Sequence, residues 1–258
     1  MKDLRITTVQ ANLKWEDAIA SIKHLHKLIN QVAPKSTDII VLPEMFNSGF
    51  TNHVEKCAEA MEGFSMQWMH EVAKSTKAVI CGSLIIQEKK KYYNRFIWML
   101  PDGSYEFYNK RHLFSMAKED TVFTKGNKAL IIEHKGWKIM PQVCYDLRFP
   151  VWARQQIQSD KPEFDAIIYV ANWPSVRSHA WKSLLMARAI ENQSYVIGVN
   201  RVGTDGKGHA YQGESMVLHP LGEICYHAPN HECTETVSLS HEALTAAREQ
   251  YQIGRAHV

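Results

Sequence analysis

The sequence predicts an α/β fold in which two mixed β-sheets pack against each other. Three observations carry this. Short apolar runs without polar alternation, at residues 38–42, 78–86 and 165–170, read as strands covered on both faces. Helical patterns separate the early runs, so strand and helix alternate as in α/β proteins. Hairpin signals are mixed in, and about a dozen strand-like segments are too many for one compact open sheet.

Residues 4–11 (LRITTVQA) are β-rich and give the first strand. Over 15–32, Trp15, Ala18, Ile19, Ile22, Leu25, Leu28, Ile29 and Val32 fall three and four apart, one helical stripe that Pro34 stops. Strand 38–42 ends in Pro43-Glu44. Gly63 precedes a second helix near 65–76, and strand 78–86 follows. Residues 92–100 and 104–109 flank the turn Pro101-Asp102-Gly103, and the second runs into NKRHLF at 109–114. Residues 115–128 are polar and loop-like. Residues 129–134 and 137–143 turn at Gly136, and the second strand delivers Cys144. Pro150 then opens a short helix through Gln158. Strand 165–170 ends in Ala171-Asn172-Trp173-Pro174, helix 178–192 follows, and 194–200 is a strand. The glycine-rich stretch 203–213 lies between strands, so it reads as a loop rather than a nucleotide cradle. Strands at 214–218, 223–227 and 234–239 complete the sheets, and 241–251 is a last helix. Without a linker or repeat, the expected organisation is a single domain over residues 1–258. Its core covers about 4–240, and 241–258 form a C-terminal helix and tail.

The 258 residues are 45% hydrophobic and 22% charged, and the net charge is +3, too even a balance to argue for nucleic acid. The basic run 89–91 falls in a predicted turn and reads as solvated. No signal peptide is visible, and no apolar run approaches the roughly 18 residues that span a bilayer. The five cysteines, Cys57, Cys81, Cys144, Cys225 and Cys233, are odd in number, widely spaced and lack any CxxC. This argues against a disulfide framework or structural zinc and is consistent with a reducing cytoplasm. No HExxH and no His/Cys cluster appears, so no metal or cofactor is expected.

Three unlike reactive groups share one placement. Glu44, Lys110 and Cys144 each stand just past an apolar strand, at the rim where α/β sheets form ligand sites. A free thiol has a pKa of about 8.5, so little thiolate exists at neutral pH. A carboxylate in reach can take its proton, and an ammonium can stabilise both the thiolate and the oxyanion formed on carbonyl attack. Singly, each residue has a plain reading: Glu44 as a cap, Lys110 as a surface lysine, Cys144 as a small buried apolar group. The shared placement points to chemistry.

The segments LPEMF (42–46), NKRHLF (109–114), CYDLRFP (144–150), ANWP (171–174) and ARAIENQSYVIGVNRVG (187–203) resemble the carbon–nitrogen hydrolase (nitrilase) superfamily, in order and in spacing. The CYDLRFP and ANWP forms look like its ω-amidase branch, which hydrolyses terminal amides of 2-oxo acids such as 2-oxoglutaramate. The resemblance covers about residues 4–240 and implies a four-layer αββα sandwich. It makes Glu44 the general base, Lys110 the oxyanion stabiliser and Cys144 the nucleophile of a thioester mechanism, with the Tyr145 N–H as second oxyanion donor. Glu119 is the candidate fourth residue, with Asp120 beside it as the alternative.

Arg148 can grip a substrate carboxylate or pair internally with Asp146, and Arg177 is another possible anchor. Asn172 and Trp173 can wall the pocket, although Trp173 could equally be core. The expected partners are a small-molecule amide and a second copy of the chain, paired through an outer helix layer to which 178–192 contributes. Another hydrolase of the superfamily is the alternative activity; a binding protein on the same fold is the alternative class. The ending from residue 253 onward (IGRAHV) departs from the Phe-Pro ending of relatives.

Overall fold

The computed structural model describes residues 2–158 and 161–251; the tail from residue 252 lies outside them. The elements run β1 (Leu4–Gln10), α1 (Ala18–Ile29), β2 (Ile39–Val41), α2 (Val54–Cys57), α3 (Phe64–Thr76), β3 (Val79–Glu88), β4 (Lys91–Met99) and β5 (Tyr105–Asn109). The second half holds β6 (Ile132–His134), β7 (Trp137–Val143), a two-residue pair β8 (Ile157–Gln158) and β9 (Lys161–Pro162), β10 (Ala166–Ala171) and α4 (Ser178–Asn192). It closes with β11 (Tyr195–Asn200), β12 (Val202–Thr204), β13 (Ala210–Gln212), β14 (Met216–Leu218), β15 (Ile224–His227), β16 (Cys233–Leu239) and α5 (His241–Tyr251).

Two six-stranded mixed sheets result, in the orders β16-β1-β2-β3-β4-β5 and β15-β14-β11-β10-β7-β6. Strand alternation sorts the core into layers. In β2, Ile39 and Val41 join the core between the sheets, while Ile40 and the following Leu42 join a second core with α1 and α3. Ile22, Leu25 and Ile29 of α1 are buried there, each stabilising by about 1.5–3 kcal/mol. On the far side, Trp181, Leu185 and Ala189 of α4 pack onto the second sheet. Its approach is close: a Cβ on Gly198 of β11 would stand 2.5 Å from Leu185 Cδ1 and 2.9 Å from Trp181 Cζ2. The layers are therefore helix, sheet, sheet and helix, as the αββα expectation required.

Three local expectations differ. The first helix begins at Ala18 rather than Trp15, because Glu16 is left-handed (φ 51°) and Asp17 caps by accepting the Ala20 N–H at 2.9 Å. Residues 150–158 do not form a helix. After a turn, Gln155 is pulled out to Asn192 (N–H to Oδ1, 2.7 Å) and Phe164 (Nε2–H to O, 2.7 Å), leading into β8. The stretch 203–213 is not a plain loop but the tip of the β12–β13 hairpin. Among the described residues, no helix is long and apolar enough to cross a membrane.

Candidate active site

Glu44 lies just beyond β2, Lys110 directly after β5, and Cys144 and Asn172 directly after β7 and β10. The first two come from one sheet and the last two from the other, so the site forms where the two sheets meet. Lys110 Nζ is 2.9 Å from Glu44 Oε1 and 3.0 Å from both carboxylate oxygens of Glu119. All three side chains are essentially inaccessible, at 1% or less. Glu119 is held by the Phe114 N–H at 2.6 Å. Asp120, which the sequence could not separate from it, is exposed and outside the group.

Glu44 is clamped on its other side by the second sheet. Its Oε2 accepts the Asn172 N–H at 2.8 Å, and its backbone oxygen accepts the Asn172 amide at 2.5 Å. The Cys144 sulfur is 3.9 Å from the Asn172 carbonyl oxygen. Asn172 thus spaces Glu44 and Cys144 as well as lining the cavity.

Burial dominates the electrostatics. It opposes the charge of Lys110, but Glu119 and Glu44 outweigh it and hold the ammonium pKa above its ordinary value. Burial, with the charge of Glu44, pushes Glu119 up against the pull of Lys110. Burial and then Glu44 push the Cys144 thiol well above the usual range, with Lys110 opposing. The resting thiol therefore keeps its proton at neutral pH.

Cys144 sits in the left-handed region at φ 45°, a strained placement for a residue with a side chain. It opens a tight helical turn, Cys144–Arg148. Asp146 fixes that turn rather than pairing with Arg148. Its Oδ2 accepts the Val143 N–H and the Tyr108 hydroxyl, both at 3.0 Å. Its Oδ1 accepts the His112 N–H at 2.9 Å and lies 2.8 Å from His112 Nδ1. One buried carboxylate so joins the Cys144 turn to the loop that carries Lys110.

A cavity of about 580 Å3 opens over these groups. Lys110 and Cys144 line it, with Tyr145, Arg148, Asn172, Trp173 and Arg177. The Arg148 guanidinium lies 5.6 Å from the Trp173 ring and that of Arg177 4.9 Å from the Phe114 ring. Trp173 is both wall and core: it is 4% exposed, and its indole N–H donates to the Arg177 carbonyl at 2.8 Å.

Two contributors escaped the sequence reading. Asn94 of β4 donates one amide to both Glu44 Oε1 (2.8 Å) and Glu119 Oε1 (3.2 Å). Its signal was an amide inside an aromatic, apolar strand, since a buried polar group needs partners. The β12–β13 hairpin adds Asp205 and Tyr211 to the cavity wall, with the Tyr211 hydroxyl donating to Asp205 at 3.0 Å. Among the described residues, no group of three or more His, Cys, Asp and Glu side chains is placed to hold a metal ion.

Two packed mixed sheets with a glutamate, a lysine and a cysteine at their meeting edge define a hydrolase of carbon–nitrogen bonds. The family model described as carbon-nitrogen hydrolase matches residues 5–249, and the chain belongs to that family. The omega-amidase YafV of Escherichia coli (strain K12) is 44% identical over 252 residues, covering 97% of this chain and 95% of that one. The 2-oxoglutaramate amidase of Bacillus subtilis (strain 168) is 28% identical over 222 residues, 85% of this chain and 84% of that one. XC1258 from Xanthomonas campestris, a CN-hydrolase superfamily protein crystallised with an arsenic adduct in its active site, superposes with a TM-score of 0.95. It is 40% identical, covering 98% of this chain and 96% of that one. The chain is an amidase-type hydrolase.

Proposed function

We propose that the protein is an ω-amidase, releasing ammonia from the terminal amide of a small 2-oxo acid amide such as 2-oxoglutaramate or 2-oxosuccinamate. The observation that carries the chemistry is the buried Glu44–Lys110–Glu119 group on the cavity that Cys144 lines. Glu44 takes the thiol proton as sulfur attacks the amide carbon. Lys110 has three N–H donors; one meets Glu44 and another Glu119, which leaves a third for the oxyanion, beside the Tyr145 N–H. The tetrahedral intermediate collapses, the C–N bond breaks, and ammonia leaves with the proton held by Glu44. Water, deprotonated by a site carboxylate, then cleaves the thioester and frees the acid and the thiol. Glu119 holds Lys110 and orients the substrate.

The preference for a 2-oxo acid rests on the relatives named omega-amidase and 2-oxoglutaramate amidase, and on the cations at the cavity wall. Arg148 and Arg177 both line it, and neither is among the ion-paired side chains of the described residues. The deciding assay is ammonia release from 2-oxoglutaramate and 2-oxosuccinamate against a neutral aliphatic amide, a nitrile and an N-carbamoyl amino acid. Equal or faster turnover of the neutral compounds would discard the oxo-acid reading. Arg148→Met is expected to raise KM for 2-oxoglutaramate about 10- to 100-fold, the loss of one charge-assisted contact, with kcat changed less than about threefold. An unchanged KM would move the anchor to Arg177.

The assembly we propose is a homodimer paired through the outer face of α4, where Ile190 is 50% exposed. Light scattering at micromolar concentration tests it, and a monomer would refute it. The proposed compartment is the cytoplasm, in keeping with five unpaired cysteines.

A further inference from the structure

The nucleophile turn has a carbonyl that its own backbone cannot satisfy. In a tight helical turn the C=O of residue i is met by the N–H of residue i+3. For Leu147 the turn has run out: Phe149 leaves helical geometry (φ −117°, ψ 83°), and Pro150 after it has no N–H. Leu147 is fully buried, so water is no substitute. The missing donor arrives from α4: Arg188 Nη2 donates to the Leu147 oxygen at 2.6 Å. Arg188 is itself 3% exposed; its Nη1 donates outward to Glu191 Oε1 at 2.9 Å, and its guanidinium also lies beside the buried Tyr169 hydroxyl. One turn further along α4, the Asn192 side chain accepts the Gln155 N–H at 2.7 Å. The helix therefore grips the chain at two points just after the nucleophile.

We propose that Arg188 is a positioning residue for Cys144. Cys144 is held at a positive φ, and a strained conformation persists only where its surroundings over-determine it. Asp146 fixes the near end of the turn, through Val143, Tyr108 and His112. Arg188 fixes the far end by supplying a donor where the turn has run out. With that bond gone, the turn can relax and the sulfur leaves its line of attack, where a displacement of about 1 Å costs on the order of 100-fold in rate.

The proposal rests on Cys144 being the nucleophile, and the two ideas fail differently. Full turnover by Cys144→Ala would remove the mechanism, whereas unchanged kcat in an Arg188 variant would remove only this role. The experiment compares kcat and KM for 2-oxoglutaramate, per folded site, in the full chain. Arg188→Met is expected to lower kcat at least about tenfold with KM within about threefold. Glu191→Gln, which leaves the Leu147 bond in place, should stay within about twofold of wild type. A purely structural arginine would lower the folded fraction and melting temperature but leave kcat per folded site intact. If Arg188→Met does not fold, Arg188→Lys carries the same comparison, since a lysine cannot span both acceptors as the guanidinium fork does. Wild-type kcat in either Arg188 variant, or a Glu191→Gln defect as large as that of Arg188→Met, would overturn the proposal.

Discussion

Lys110→Met is expected to remove detectable turnover and to destabilise the fold by about 3–5 kcal/mol, the usual consequence of deleting one partner from a buried ion group. The reason lies in what remains. Glu44 and Glu119 are both wholly buried, and without the lysine they share only the Asn94 amide, at 2.8 and 3.2 Å. Two carboxylates that close cannot both stay ionised in a dry site, so one takes up a proton. On the proposed mechanism, a proton on Glu44 removes the base and the missing ammonium removes the oxyanion donor. The double variant Lys110→Met/Glu119→Gln separates the two effects: it should regain part of the stability and none of the activity. Urea unfolding followed by fluorescence, alongside ammonia release, reads both. A single variant as stable as wild type would contradict the buried-ion account.

Cys144→Ala should lower turnover by at least about 10^4-fold while leaving the fold within about 1 kcal/mol of wild type. The thiol is neutral at rest, so its loss strands no charge. Cys144→Ser should share the defect, because a hydroxyl gives up its proton far less readily than a thiol. The wild-type sulfur adds a pH signature. Burial and Glu44 hold its pKa above the ordinary range, and a raised pKa keeps the proton on up to higher pH. Alkylation of Cys144 by iodoacetamide, followed by mass spectrometry, should therefore keep rising with pH, and a plateau below about pH 8 would contradict the burial argument. Cys144→Ser with wild-type turnover would end the thioester mechanism.

What could be read in advance followed from strand ends. Glu44, Lys110 and Cys144 were visible because each stands just past a strand end, and the two-sheet packing followed from a strand count too high for one open sheet, with the four-layer order supplied by the resemblance. Residues whose place depends on the direction of a side chain were harder to read, and Glu119 was named only through the resemblance, with Asp120 beside it. Glu119 and Asp120 are adjacent acids in one polar loop. A left-handed Lys118 (φ 59°) aims the first inward and leaves the second in solvent. Asn94 differs from any strand asparagine only by facing the seam between sheets. Pro150 suited a helix start locally, and the pull of Asn192 and Phe164 on Gln155 overrode it. The hairpin at 202–212 was hidden by glycines that read equally well as loop.

The pairing of β1 with β16 bears on how the molecule is made. Residue 4 lies opposite residue 239, and within the site Glu44 meets Lys110 across 66 positions and Asn172 across 128. Contacts this distant in sequence must close large loops before any of them is rewarded, which slows folding. A growing chain can dock α1 and α3 onto β1–β5 early, but the edge beside β1 stays open until β16 has been synthesised. Every residue of the proposed chemistry has left the ribosome by then, while the sheet that holds Glu44 still lacks a strand. For that interval the unpaired edge of β1 is the surface most open to pairing with another nascent chain, so the order of synthesis sets a window of aggregation risk that closes only with β16.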